Sequence, residues 1–148
     1  MIRIEPGPFD PAAELAAFAA RVPGAGAIAS FTGLVRATSD GAEVTGLELQ
    51  HYPALTERTV AAIGEAARAR FGLGGLVIVH RHGAMAPGEP IVFVAAAAGH
   101  RRAAFEAVDY MMDRLKTEAP FWKREAGPDG ARWIEARASD HEDRARWG

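Results

Sequence analysis

Apolar and polar residues alternate over Met1–Ile4, the pattern of a short strand, and the pattern stops at Pro6-Gly7-Pro8. Asp10 before Pro11 has the form of an N-cap with proline in the first turn. It predicts a small alanine-rich helix to about Ala20, closed by Val22-Pro23-Gly24. Ala27–Arg36 and Glu43–Tyr52 read as two strands, with the polar Thr38-Ser39-Asp40-Gly41 as a hairpin loop between them. In the second of these, Leu47, Leu49 and His51 share one face. Pro53 opens a helix to about Phe71, with Val60, Ile63, Ala67 and Phe71 at helical spacing and Gly72 and Gly74 ending it. Leu76–His82 and Ile91–Ala98 are apolar and rich in β-branched residues, and the turn Pro87-Gly88 joins them as buried strands. A third helix is predicted from near His100 to Pro120, with Phe105, Val108, Met112 and Leu115 as its apolar stripe. Phe121–Glu125 and Arg132–Glu135 read as two short strands around Gly127-Pro128-Asp129-Gly130, and the charged segment 139–148 is expected to fray.

Strands joined by short turns, with about three helices interspersed, predict an α+β fold with a mostly antiparallel sheet. At 148 residues, with no repeat or linker, the chain reads as a single domain over 1–148. The composition narrows the chemistry. There is no cysteine, which excludes a disulfide framework, a thiolate metal site, a cysteine nucleophile and a persulfide relay. Nineteen acidic residues against seventeen basic ones give a net charge of −2, so bulk attraction to nucleic acid or acidic membranes is not expected. No apolar run approaches the ~18–20 residues of a membrane span. The opening MIRIEPGPFD lacks the apolar stretch of a signal peptide, so a cytoplasmic location is expected.

Four groups of residues invite a chemical reading. Gly24-Ala-Gly26-Ala-Ile-Ala29 matches a dinucleotide-binding pattern in letters, but a helix precedes it and a strand follows, the reverse of what a pyrophosphate on a helix N-terminus needs. His80 and His82 share one face of a strand end, yet no third ligand is evident, and no metal is expected. His100-Arg101-Arg102 sits at the positive end of the third helix's dipole, the wrong sign for helix stability and the right one for holding a phosphate or carboxylate. The fourth group is the lysines. Fifteen arginines serve almost every cationic need, and the only two lysines, Lys116 and Lys123, lie seven residues apart. Lys116 falls at the edge of the apolar stripe, where partial desolvation would lower its pKa. Lys123 follows the Ala119-Pro120 break and shares a strand face with Phe121 and Glu125. Arginine cannot take either place if a proton must move, because it does not lose its own.

These segments together resemble one family, the MoaE family of large, catalytic molybdopterin synthase subunits. The matching stretches are Phe31-Thr-Gly-Leu-Val-Arg36, Leu49-Gln-His-Tyr-Pro53, Val79-His-Arg-His-Gly83, Pro87-Gly-Glu89, Ile91-Val-Phe-Val94, His100-Arg101, Phe105-Glu106, Leu115-Lys-Thr-Glu-Ala-Pro-Phe-Trp-Lys-Arg-Glu125 and Trp133-Ile-Glu-Ala-Arg137. The segment from Leu115 to Glu125 is the most specific of them. The resemblance implies an α/β-hammerhead fold and a homodimer at the centre of a heterotetramer. Each end would bind a small ubiquitin-like sulfur carrier with a C-terminal Gly-Gly thiocarboxylate. The implied reaction moves two sulfurs to cyclic pyranopterin monophosphate, opens its cyclic phosphate and forms the dithiolene of molybdopterin, with no permanently bound cofactor. Position by position, the resemblance makes Lys116 and Lys123 the catalytic pair. Arg36, His100 and Arg101 match residues that hold the anionic pterin, some of them reaching across the dimer. Arg124, Glu125 and the backbone of Leu34 and Val35 line the same site. Leu34 stands where some relatives have lysine, and Arg102 is an additional cation. On this reading Lys116 meets the carrier's terminal carbonyl and moves a proton, while Lys123 binds substrate and the leaving phosphate oxygen. A non-catalytic scaffold for the carrier protein is the alternative.

Overall fold

The computed structural model describes residues 1–148, and two four-stranded sheets organise it. The first has the order β1 (Ile2–Glu5), β6 (Gly75–Arg81), β8 (Pro90–Ala98), β2 (Ala27–Leu34). Its pairings are antiparallel except for β1 against β6. β6 and β8 are apolar on both sides because both faces are covered. Leu76, Ile78, Val92, Val94, Ala96 and Ala98 pack in the core that holds α2 (Pro53–Phe71) and α3 (Arg101–Glu118). Val77, Val79, Phe93, Ala95 and Ala97 face the other way, onto Phe18 of α1 (Pro11–Arg21).

The second sheet runs β10 (Gly130–Ile134), β9 (Phe121–Gly127), β5 (Gly46–His51), β7 (Gly83–Met85), all antiparallel. The chain crosses from the first sheet to the second between β6 and β7 and returns at β8. Val35, Leu49 and Met85 are buried together where the sheets meet, with Ile91 and Phe121 against them. The outcome is the α+β, mostly antiparallel architecture expected from the pattern, with four helices instead of three.

Three local expectations change. The strands expected to form one hairpin, β2 and β5, lie in different sheets. The polar loop forms its own two-residue ladder, β3 (Thr38–Ser39) with β4 (Ala42–Glu43), around Asp40 and Gly41 at φ 51° and 81°. Phe105 does not join the stripe of α3. It is 65% exposed, and Ala104, Ala107 and Met111 take the inner positions, where small side chains bring the helix close to the sheet. The segment expected to fray contains α4 (Ala138–Ala145).

The glycine-rich Gly24–Ala29 segment has a packing role. A Cβ on Gly26 would lie 2.1 Å from the carbonyl oxygen of Gly99, whereas one on Gly24 would meet nothing within 4 Å. Gly26 also donates its N–H to Ala98 (3.0 Å), so β2 enters the sheet flush against the β8–α3 junction. Gly26→Ala is therefore expected to lower stability by roughly 1–3 kcal/mol. Gly24→Ala should stay within about 0.5 kcal/mol of the parent. Urea midpoints of the two variants check this, and equal midpoints would show that the close approach is not needed.

Candidate functional site

Lys123 lies in the middle of β9, opposite Leu49 of β5 and Ile134 of β10. Strand alternation puts its side chain on the inner face with Phe121 and Glu125. Pro120 ends α3 and turns the chain directly into β9, and this reversal places Lys116, in the last turn of α3, near Lys123. Beside Lys123 is a wall of rings. His80 of β6 stacks flat on Phe121, with centroids 4.0 Å apart and planes 14° from parallel. His51 lies 5.7 Å from Phe121 and 4.3 Å from His82.

Burial dominates the electrostatics. It pushes Lys123 down to about 8, and the positive charges of Lys116, Arg36 and Arg137 push the same way. Asp140 alone opposes them. At pH 7 roughly a tenth of Lys123 is then the free amine, against well under a thousandth for an ordinary lysine. His80 is pushed down to about 4, first by burial and then by Lys123, Lys116 and His51, against the effect of its bond to Arg81. A neutral His80 donates Nδ1–H to the Arg81 carbonyl at 3.0 Å. His51 is lowered as well, by burial and by His82.

No carboxylate lies within 4.0 Å of Arg36, Lys116 or Lys123, although fifteen arginines and nineteen acids share this chain. Glu125, on the same face as Lys123, is engaged by Arg132 at 3.4 Å, and Arg137 is paired with Asp40 at 3.4 Å. Such a cluster favours an anion, which would supply the missing negative charge.

The remaining residues expected at the site divide into separate places. His100, Arg101 and Arg102 are exposed at the N-terminus of α3, which has no side-chain cap and no acid in its first turn. Arg101 and Lys116 are fifteen residues apart on one helix, about 22 Å along its axis, so one copy of the chain holds two distant cationic sites. Arg124 alternates to the opposite face of β9 from Lys123, where its guanidinium carbon lies 6.0 Å from the Trp133 ring centroid. Val35 is buried. Its N–H donates to Glu89 (2.9 Å) and its carbonyl accepts from Gly88 (2.8 Å), which ties this segment to the turn before β8. Leu34 is half-exposed beside it. The desolvated amine is Lys123 and not Lys116, whose side chain projects from the helix end into solvent. His80 and His82 do not converge on a common point with a third ligand. Arg137 and Asp140 were not among the site residues expected from the sequence. Their signal was the acid three residues after Arg137 ahead of a helical run, the spacing of a capping box.

The site joins fixed positive charge with one amine whose pKa burial lowers to about 8, an arrangement suited to an anionic ligand. The chain belongs to the MoaE family, whose model, described as MoaE protein, matches residues 4–118. It is 49% identical over 146 residues to the molybdopterin synthase catalytic subunit of Pseudomonas aeruginosa, covering 99% of this chain and 97% of that one. Among solved structures, the molybdopterin biosynthesis MoaE protein from Burkholderia ambifaria superposes with a TM-score of 0.85 at 47% identity, covering 100% of this chain and 97% of that one. The fold also recurs in the complex of subunits 1 and 2 of molybdopterin-converting factor from Helicobacter pylori. There the TM-score is 0.74 at 24% identity, covering 93% of this chain and 90% of that one.

Lys116→Gln removes a repelling cation and should raise the midpoint of Lys123 above 8, read from the pH dependence of amine acylation at Lys123 by mass spectrometry. An unmoved midpoint would mean that the two amines do not share a site. For His80, the unfolded chain binds a proton below about pH 6.5 that the folded chain refuses until about pH 4. Stability should therefore fall as pH drops through that window, by at most about 3 kcal/mol from this group. A His80→Gln variant should show a flatter dependence of the urea midpoint on pH.

Proposed function

We propose that the chain is the catalytic, sulfurtransferase subunit of a molybdopterin synthase, carrying two sulfurs to cyclic pyranopterin monophosphate and yielding molybdopterin. The observation that carries this reading is the set of unpaired cations around Lys123, in a chain that is 49% identical to a molybdopterin synthase catalytic subunit. The substrate is a phosphate-bearing anion, and so is a thiocarboxylate sulfur donor. Fixed positive charge binds both and stabilises charge that develops as the phosphate ring opens.

With no cysteine, this chain has no sulfur of its own to relay, and a partner must bring it. The reading assigns that part to a small ubiquitin-like carrier whose C-terminal Gly-Gly ends in a thiocarboxylate. Lys116, exposed at the helix end, meets the arriving tail as a point charge. Lys123, inside and near pKa 8, takes the proton-transfer role that the sequence reading gave to Lys116. As the ammonium it donates to the leaving phosphate oxygen while the thiocarboxylate sulfur bonds to the pterin side chain. Water then hydrolyses the resulting thioester, which frees the carrier as a carboxylate and releases the proton that restores the ammonium. His100 and Arg101 are too far away to act on the same substrate molecule in one chain. Their part in the site calls for a second copy, with the exposed Phe105 beside them as apolar surface to cover, inside a heterotetramer with two carriers. The cytoplasm, where a soluble carrier and precursor are at hand, completes the reading. A scaffold that only holds the carrier would have no use for a half-buried amine, so the geometry favours catalysis.

The test mixes the chain with thiocarboxylated carrier and precursor and measures dithiolene formation. Lys123→Arg keeps a positive charge but not a proton that moves, and is expected to lower the rate on the order of 100-fold or more. Near-normal turnover by this variant would remove proton transfer from Lys123.

A further inference from the structure

α4 contains no buried residue. An isolated eight-residue helix is unstable in water, so something other than a core must hold it. The fastening lies just beyond it, on α3. Asp113 is a buried carboxylate, and its Oδ2 accepts from the Trp147 indole N–H at 2.6 Å and from Arg146 Nη2 at 2.9 Å. The same Arg146 nitrogen donates to Asp109 at 2.6 Å. The Trp147 ring stands edge-on to Tyr110 (5.5 Å) and Phe71 (5.9 Å), and Arg70 donates to the Trp147 carbonyl at 2.8 Å. At the other end of α4, the Arg137 N–H donates to the Asp140 carboxylate at 2.9 Å, and the Arg137 side chain pairs with Asp40.

We propose that Asp113 is a positioning residue for Lys123: by fastening Arg146 and Trp147 to α3 it seats α4, and the seated helix holds Asp140 and Arg137 toward the amine. This deepens the proposed function, since it names what holds in place the one carboxylate that opposes the lowering of Lys123 by burial and by Lys116. Ile134 of β10 lies opposite Lys123, and three residues further on the chain reaches Arg137, the N-cap of α4. The charges acting on Lys123 are those of Lys116 from α3, Arg36 from the segment after β2, and Arg137 and Asp140 from α4, with the neutral His80 of β6 nearby, while Glu125 on its own strand is paired with Arg132. Asp140 is thus the one carboxylate that acts on Lys123 against three cations, and it stands on a helix with no buried residue of its own.

The experiment reads Lys123 directly, by trace labelling with acetic anhydride across pH and mass spectrometry of the peptide that contains it. Asp140→Asn is expected to lower the labelling midpoint in the parent chain. In a Trp147→Phe background, which keeps an aromatic ring but removes the indole donor, and in Asp113→Asn, that shift should be lost while circular dichroism shows the fold retained. If Asp113→Asn does not fold, Trp147→Phe alone decides. An equal Asp140→Asn shift in both backgrounds would overturn the proposal, because α4 would then hold its place without the fastening. No shift in the parent chain would overturn it as well, because Asp140 would not reach the amine. Labelling needs neither carrier nor pterin, so either failure stands apart from the outcome of the dithiolene assay.

Discussion

Like charges repel, and the region around Lys123 is built to hold them together. Two lysines and two arginines crowd one place; Arg137 has Asp40 as its partner, and Asp140 acts on Lys123 without an ion pair to either lysine. Folding must supply that electrostatic cost from elsewhere, and the rigid packing of β5, β9 and α3 does so. What remains is a site with an excess of positive charge, which favours an anion from outside. The repulsion also has a chemical use, because the same crowding and burial bring the amine of Lys123 into the range where it exchanges protons near neutral pH.

The division into two sheets makes the crowding possible. The first sheet is an apolar slab clad by helices on both faces, and it fixes α3 through alanines that allow a close approach. The second is smaller and reaches the first through β7 and the cluster of Val35, Leu49 and Met85. Lys123 belongs to the second sheet and Lys116 to the helix on the first. The seam between them carries His80 stacked on Phe121, and burial there favours the neutral imidazole. A hydrophobic seam with neutral rings beside a cationic pocket separates the cost of charge from the gain of packing.

Much of this was legible in the residues. Period and punctuation placed α1, α2, α3 and the longer strands within a few positions, because Pro11, Pro53, Gly72 and Pro120 act locally, while the short β3, β4 and β7 were not marked. Alternation told which face of β5 and β9 turned inward, but a strand's neighbour is a long-range property, so the pairing of β2 with β8 instead of β5 was invisible. The scarcity of lysine exposed Lys116 and Lys123. Which of the two is desolvated depends on what covers each from elsewhere in the chain, and the helical stripe favoured the wrong one. Arg124 was assigned to the pocket by its place in a motif, although strand alternation already turned it away. α4 has no apolar stripe to announce it, and its anchor is a tryptophan and an aspartate 34 positions apart.

α3 links the two cationic places, and a helix is far stiffer along its length than any loop. Its eighteen residues make it a strut with a cationic group at each end. A strut does not dissipate displacement. If an anion draws the Arg101 end inward by a fraction of an ångström, the Lys116 end moves with it. Where two copies of the chain combine, paired struts would lock the two reaction centres to one mechanical reference, so that occupancy at one end is felt as geometry at the other.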